Sequence, residues 1–115
     1  MRILIADDEP VLRELLATIL TSKGHAVVST KDGAEALRVF TDEGNFDCVI
    51  TDYQMPRKNG VVLIMDIRRI KPSQKVIMVS GDPPTIDSLT RKDTGEFPIL
   101  QKPYRNDALF ALINA

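Results

Sequence analysis

Short unbroken apolar runs alternate along the chain with longer stretches whose apolar residues recur every three or four positions. The runs read as buried strands and the longer stretches as helices. A first strand covers Arg2 to Ala6. A helix follows with Pro10 in its first turn, where a missing N–H costs nothing. Its residues Val11, Leu12, Leu15, Leu16, Ile19 and Leu20 form one apolar stripe, and Gly24 stops it. The second strand is Ala26 to Ser29. The second helix starts near Asp32, carries Ala34, Ala36, Leu37 and Phe40, and ends at Gly44. The third strand is Asp47 to Thr51. A loop from Asp52 to Asn59 then leads to a helix over Gly60 to Ile70, which stops before Pro72. The fourth strand is Lys75 to Ser80, followed by a short helix between Thr85 and Lys92. Pro98 to Gln101 is the fifth strand. The last helix starts near Asn106 and turns Leu109, Leu112 and Ile113 inward.

The strands show little alternation, so both of their faces are buried. That is the mark of a parallel sheet covered by helices on each side, an α/β fold. Right-handed crossovers leave few topologies, and the strand order 2-1-3-4-5 satisfies them. The chain then reverses direction between strands one and three. A crevice opens there, at the carboxyl ends of the strands. Polar groups collect at those ends. Asp7 and Asp8 follow strand one, Asp52 follows strand three, Ser80 closes strand four, and Lys102 follows strand five.

Three carboxylates in one crevice repel. Two unit charges about 4 Å apart interact by about 4 kcal/mol at an effective dielectric of 20. The cluster therefore calls for a cation or a proton. All-oxygen ligation suits a hard ion, and Mg²⁺ is held by one or two carboxylates, waters and a phosphate. Lys102 supplies a mobile positive charge for an oxyanion, and Ser80 a hydroxyl donor. One carboxylate is left as a nucleophile, since Asp and Glu form acyl phosphates. The constellation suggests a metal-dependent phosphoryl-acceptor site.

Composition narrows the rest. At 115 residues the chain is sized for one domain, residues 1–115. Its 43% hydrophobic and 27% charged content is that of an ordinary globular domain. A net charge of -1 gives no footprint for nucleic acid or an anionic membrane. No apolar run approaches the roughly 20 residues needed to span a bilayer. A single cysteine, Cys48, forms no internal disulfide, so a reducing cytoplasm is expected. Cys48 is expected in the core and His25 on a surface turn. The basic groups Arg57-Lys58 and Arg68-Arg69-Lys71 read as solvated, and Val62 and Met65 as the outer side of their helix.

The pieces Asp7-Asp8, Asp52 with Met55-Pro56 and Gly60, Ser80-Gly81, and Lys102-Pro103 stand in order, each at a strand end. Together they resemble the receiver domain of two-component response regulators, over essentially the whole chain. The resemblance implies a flavodoxin-like sheet and a phosphoryl group accepted by Asp52 from a histidine kinase or histidine phosphotransfer protein. It implies Mg²⁺ on Asp8, Asp52 and the backbone carbonyl of Gln54, with Asp7 helping through water. Ser80 and Lys102 would bind the phosphoryl oxygens, and the Lys102–Pro103 bond would be cis. Such a domain is a switch rather than a conventional enzyme, although it catalyses its own phosphorylation and dephosphorylation. It would signal by partner docking on the face made by the helix between Thr85 and Lys92, the fifth strand and the last helix. With nothing after that helix, the chain is expected to be a stand-alone receiver or one cut from a longer regulator or hybrid kinase.

Some positions depart from the family pattern. Ile99 stands where an aromatic usually rotates on activation, Ser80 where Thr is commoner, and Tyr104 where Phe is usual. The usual Gly-Ala pair before strand five is missing. With apolar anchors sparse between Gly81 and Pro98, phosphorylation is expected to act by ordering that segment rather than by turning a ring. Two other classes fit poorly. An aspartyl-phosphate hydrolase wants an acid two residues after its nucleophile, where Gln54 stands. A flavin carrier wants a Ser/Thr/Gly-rich loop where Asp7-Asp8-Glu9-Pro10 stands.

Overall fold

The computed structural model describes residues 1–81 and 95–115. Five parallel strands form one sheet in the order β2-β1-β3-β4-β5. They are β1 (Arg2–Ala6), β2 (Ala26–Thr30), β3 (Cys48–Asp52), β4 (Val76–Ser80) and β5 (Ile99–Gln101). The helices among the described residues are α1 (Pro10–Ser22), α2 (Gly33–Glu43), α3 (Gly60–Ile70) and α4 (Asn106–Asn114). The expected strand order holds, and strand bounds move by a residue at most. One such shift matters: β3 includes Asp52, so this carboxylate is carried by the strand itself. The helix expected between Thr85 and Lys92, and most of the segment expected to become ordered, lie outside the described residues.

Every residue of β3 and β4 is buried, whereas β2 and β5 at the sheet edges are only partly so. Alternation of side chains divides the core into two layers. Leu4, Ala6, Val49, Val76 and Met78 face α2 and α3, packing with Ala36, Phe40, Leu63, Ile64 and Ile67. Ile3, Ile5, Cys48, Ile50, Ile77 and Val79 face the other way, onto Leu16, Leu20, Leu109 and Ile113 of α1 and α4. Cys48 is fully buried as expected, and burial pushes its thiol up to about 11, with Lys75 pulling the other way.

Side-chain caps fix the starts of α2 and α3. Asp32 accepts a hydrogen bond from the Glu35 N–H at 2.8 Å, and Asn59 one from the Val62 N–H at 3.0 Å. The end of α1 returns the N–H groups of Lys23 and Gly24 to the Leu20 and Thr21 carbonyls.

Burial departs from the simple sequence pattern in three places. The stripe on α1 is not buried as a unit. Leu16 and Leu20 are covered, but Val11 is 78%, Leu15 54% and Leu12 41% exposed. Leu12 and Leu15 border an open groove of about 400 Å³ between α1 and the Pro103–Asn106 stretch. Periodicity reports a helix, not what covers it. On α2, Ala34 is likewise exposed. The basic groups are not uniformly solvated either. Lys58 is ion-paired with Asp66. Arg68 donates to the Glu96 carbonyl at 2.9 Å and lies 5.7 Å over the Phe97 ring.

The two halves of the α1 stripe should therefore differ in cost. Leu20→Ala should destabilise by about 2–5 kcal/mol, the range for a buried leucine. Leu15→Ala should stay within about 0.5 kcal/mol. Urea unfolding of both variants checks this, and equal losses would contradict the burial assignment.

Candidate functional site

Register brings the polar groups together. Ala6 lies opposite Thr51, so Asp7 arrives level with Asp52. Asp52 lies opposite Val79, which puts Ser80 one residue further along β4. Ser80 lies opposite Gln101, which puts Lys102 next on that side. The Lys102 N–H donates to the Ser80 carbonyl at 2.8 Å and secures the last of these steps. The Lys102–Pro103 peptide is cis, as expected.

A cavity of about 670 Å³ opens over these strand ends, lined by Asp8, Asp52, Gln54, Ser80 and Lys102 among others. Asp7, Asp52 and Ser80 are buried, and Asp8 is exposed. Each of Asp7, Asp8 and Asp52 offers a carboxylate oxygen within 4.8 Å of the others, a spacing one metal ion could bridge. Lys102 Nζ lies 2.7 Å from Asp52 Oδ1. Every residue expected at the site thus reaches it, Gln54 as a lining residue.

Burial governs the electrostatics. It pushes the Asp52 carboxyl up to about 7. The hydrogen bond from Lys102 works against that rise, and Asp7 adds to it. Burial also opposes the charge on Lys102, but the hydrogen bond and charge of Asp52, with Asp7 and Glu9, outweigh it and hold the ammonium above its ordinary value. The Tyr104 hydroxyl is raised, again first by burial, and its ring packs beside the site in the α1–α4 layer.

The loop after Asp52 is closed by two glycines. A side chain at Gly60 would collide with the Asp52 carbonyl oxygen, and the Gly60 N–H donates to the Tyr53 carbonyl at 2.7 Å. A side chain at Gly33 would collide with the Lys58 carbonyl, so the start of α2 seats the far end of the same loop. Arg13 was not among the expected site residues. Its Nη1 donates to the Asp7 carbonyl at 2.8 Å. The available signal was its place one helical turn after Pro10, on the side that returns to the acidic turn.

Residues 3–114 match the family model of the response regulator receiver domain. The chain belongs to this family. The receiver domain is 37% identical over 112 residues to the transcriptional regulatory protein GlrR of Escherichia coli, covering 97% of this chain and 25% of that protein. It is 34% identical to the transcriptional regulatory protein TcrA of Mycobacterium tuberculosis, covering 100% of this chain and 45% of that one. It thus spans less than half the length of these curated relatives. Among solved structures, a receiver domain protein from Clostridium thermocellum superposes with a TM-score of 0.90 at 32% identity, covering 98% and 90% of the two chains. The response regulator TrrA of Thermotoga maritima, solved in complex with Mg²⁺–BeF, superposes with a TM-score of 0.87 at 32% identity, covering 98% and 96%. The receiver is a signalling switch with an acidic pocket consistent with phosphoacceptance and Mg²⁺ binding.

The raised Asp52 carboxyl has a consequence for stability without metal. An unfolded carboxyl ionises near 3.8, and Asp52 in the fold near 7. Between those values the unfolded chain has released a proton that the folded chain keeps. Rising pH therefore favours unfolding through this group, and above 7 the penalty is constant. Asp52→Asn should stabilise the metal-free receiver more at about pH 8 than at about pH 5. Urea titrations at both values test this. An equal gain at each would remove Asp52 as the source.

Proposed function

We propose that residues 1–115 act as one phosphoacceptor unit and that Asp52 takes a phosphoryl group from a phosphohistidine of a histidine kinase or histidine phosphotransfer protein. The observation that carries this reading is the Lys102 ammonium 2.7 Å from the Asp52 carboxylate, beside two further carboxylates on the neighbouring strand end. An Asp52 oxygen attacks phosphorus as the P–N bond breaks, and the departing imidazole takes up a proton. Lys102 and Ser80 hold the phosphoryl oxygens. Self-catalysed transfer and later hydrolysis both belong to this proposal.

The donor set fits Mg²⁺. It is all oxygen, it repels itself without a cation, and the cavity leaves room for waters. Asp8, Asp52 and the Gln54 backbone carbonyl would hold the ion, with Asp7 acting through water. Bound there, Mg²⁺ favours the ionised carboxylates and offsets charge on the transferred group.

Exposed Leu12 and Leu15 border the groove that reaches Asp52 and Lys102, and offer an apolar rest for the phosphodonor. For output we favour docking of a protein target on the side of β5 and α4 with the segment before β5. At the aromatic position Ile99 is only half-buried and has no ring to rotate. Relatives named as transcriptional regulatory proteins support a place within a longer regulator, in which this unit itself contacts no nucleic acid. None of the helices among the described residues is long and apolar enough to cross a membrane. We assign the unit to the cytoplasm on its single free thiol.

Acetyl phosphate with Mg²⁺ should add one phosphoryl group, visible by intact mass spectrometry. Asp52→Asn should abolish the addition. Asp8→Ala should keep the fold but lose both Mg²⁺ binding and phosphorylation. Full labelling of Asp52→Asn, or undiminished labelling in excess chelator, would overturn the assignment.

A further inference from the structure

Asp7 and Asp8 are adjacent, so one peptide unit lies between their Cα atoms. That unit is rigid and planar, and its tilt sets the directions in which both carboxylates leave the backbone. Its carbonyl is the one Arg13 holds. Arg13 is half-buried on α1, and its Nη1 lies 2.8 Å from the Asp7 oxygen. The Arg13 backbone N–H donates to the Glu9 carbonyl at 2.9 Å, the helical bond any residue here would make, so the guanidinium contact is the one specific to arginine.

Other supports act on either side of that peptide. The Asp7 N–H donates to the Thr30 carbonyl at 3.1 Å, which fixes the entry from β1. The Glu9 N–H donates to Asp7 Oδ1 at 2.9 Å, which orients Asp7 itself. Glu9 caps α1 without a side-chain bond, and Pro10 has no N–H to give. Asp8 is exposed and has no neighbouring strand to aim it, so its direction depends on the peptide behind it. A hydrogen bond from a guanidinium is roughly twice as strong as a neutral one, and suits this task.

We propose that Arg13 is a positioning residue of the divalent-cation site, which locks the Asp7–Asp8 peptide so that Asp8 faces the ion. It touches neither the ion nor the phosphoryl group, and its role rests on the Mg²⁺ reading above. A bland alternative is that its charge simply offsets the three acids. The two make opposite predictions. Removing a cation from beside a carboxylate cluster would tighten Mg²⁺ binding, whereas removing the brace on Asp8 would weaken it.

The test is a calorimetric titration of Mg²⁺ into the full chain without any phosphodonor, for the wild type, Arg13→Met and Arg13→Gln. Both variants remove the charge. Met keeps the apolar stem, and Gln serves if Met does not fold. Each should raise the Kd for Mg²⁺ by about tenfold or more, the usual effect of losing a group that orients a metal ligand. The Mg²⁺ concentration for half-maximal acetyl phosphate labelling should rise in parallel, and Arg13→Lys should recover part of the loss. A lower melting temperature with an unchanged Kd would mark a purely structural role and overturn the proposal. A folded variant that binds Mg²⁺ as tightly as the wild type, or more tightly, would overturn it too. A wild type that takes up no Mg²⁺ would fell the metal reading and this inference together, whereas binding shared in full by the variants defeats this inference alone.

Discussion

The ion pair between Lys102 and Asp52 spans the width of β4, since the two residues close β3 and follow β5 with that strand between them. It therefore ties together three strand ends whose polar groups would otherwise sit at the edge of a dry sheet. Burying a carboxylate is costly, and the cost is tolerable only where a partner of opposite charge is in reach. Here the partner answers one acid of three. Asp7 is buried beside the pair with no cation of its own at hydrogen-bond distance among the described residues, and the excess negative charge would favour a divalent ion in the cavity.

The opposite wall is built by exclusion rather than attraction. Gly60 lies against the Asp52 carbonyl and Gly33 against the Lys58 carbonyl, so the loop between them has no slack at either end. Strand register sets one side of the cavity and close backbone contact sets the other. A small movement of α2 would thus be felt at the loop that carries Gln54.

Strand order and the converging polar groups were legible in the sequence because each acid stops an apolar run, and a run buried on both faces leaves its polar neighbours only the sheet end. What was not legible depends on distant partners. Leu12 and Leu15 have the spacing of a buried face, but the chain pattern does not say that a groove lies beside them. Arg68 looks like part of a solvated basic cluster, yet it donates to the carbonyls of Gln74 and Glu96, the latter 28 residues away. Arg13 is hidden in the sequence for a similar reason. A backbone carbonyl leaves no trace in residue type, so side chains that bind one are the hardest to find by reading letters.

Cys48 carries a last consequence. The thiolate is the reactive form, and here it is disfavoured by burial between the sheet and the α1–α4 layer. The native thiol, fully buried, is therefore shielded from alkylating dyes and spin labels. A cysteine introduced on the surface would be the sole exposed thiol of these 115 residues. Pairs of such handles, on the groove beside α1 and on the rim of β5, would allow distances across the domain to be followed by resonance methods without first removing a native residue from the core.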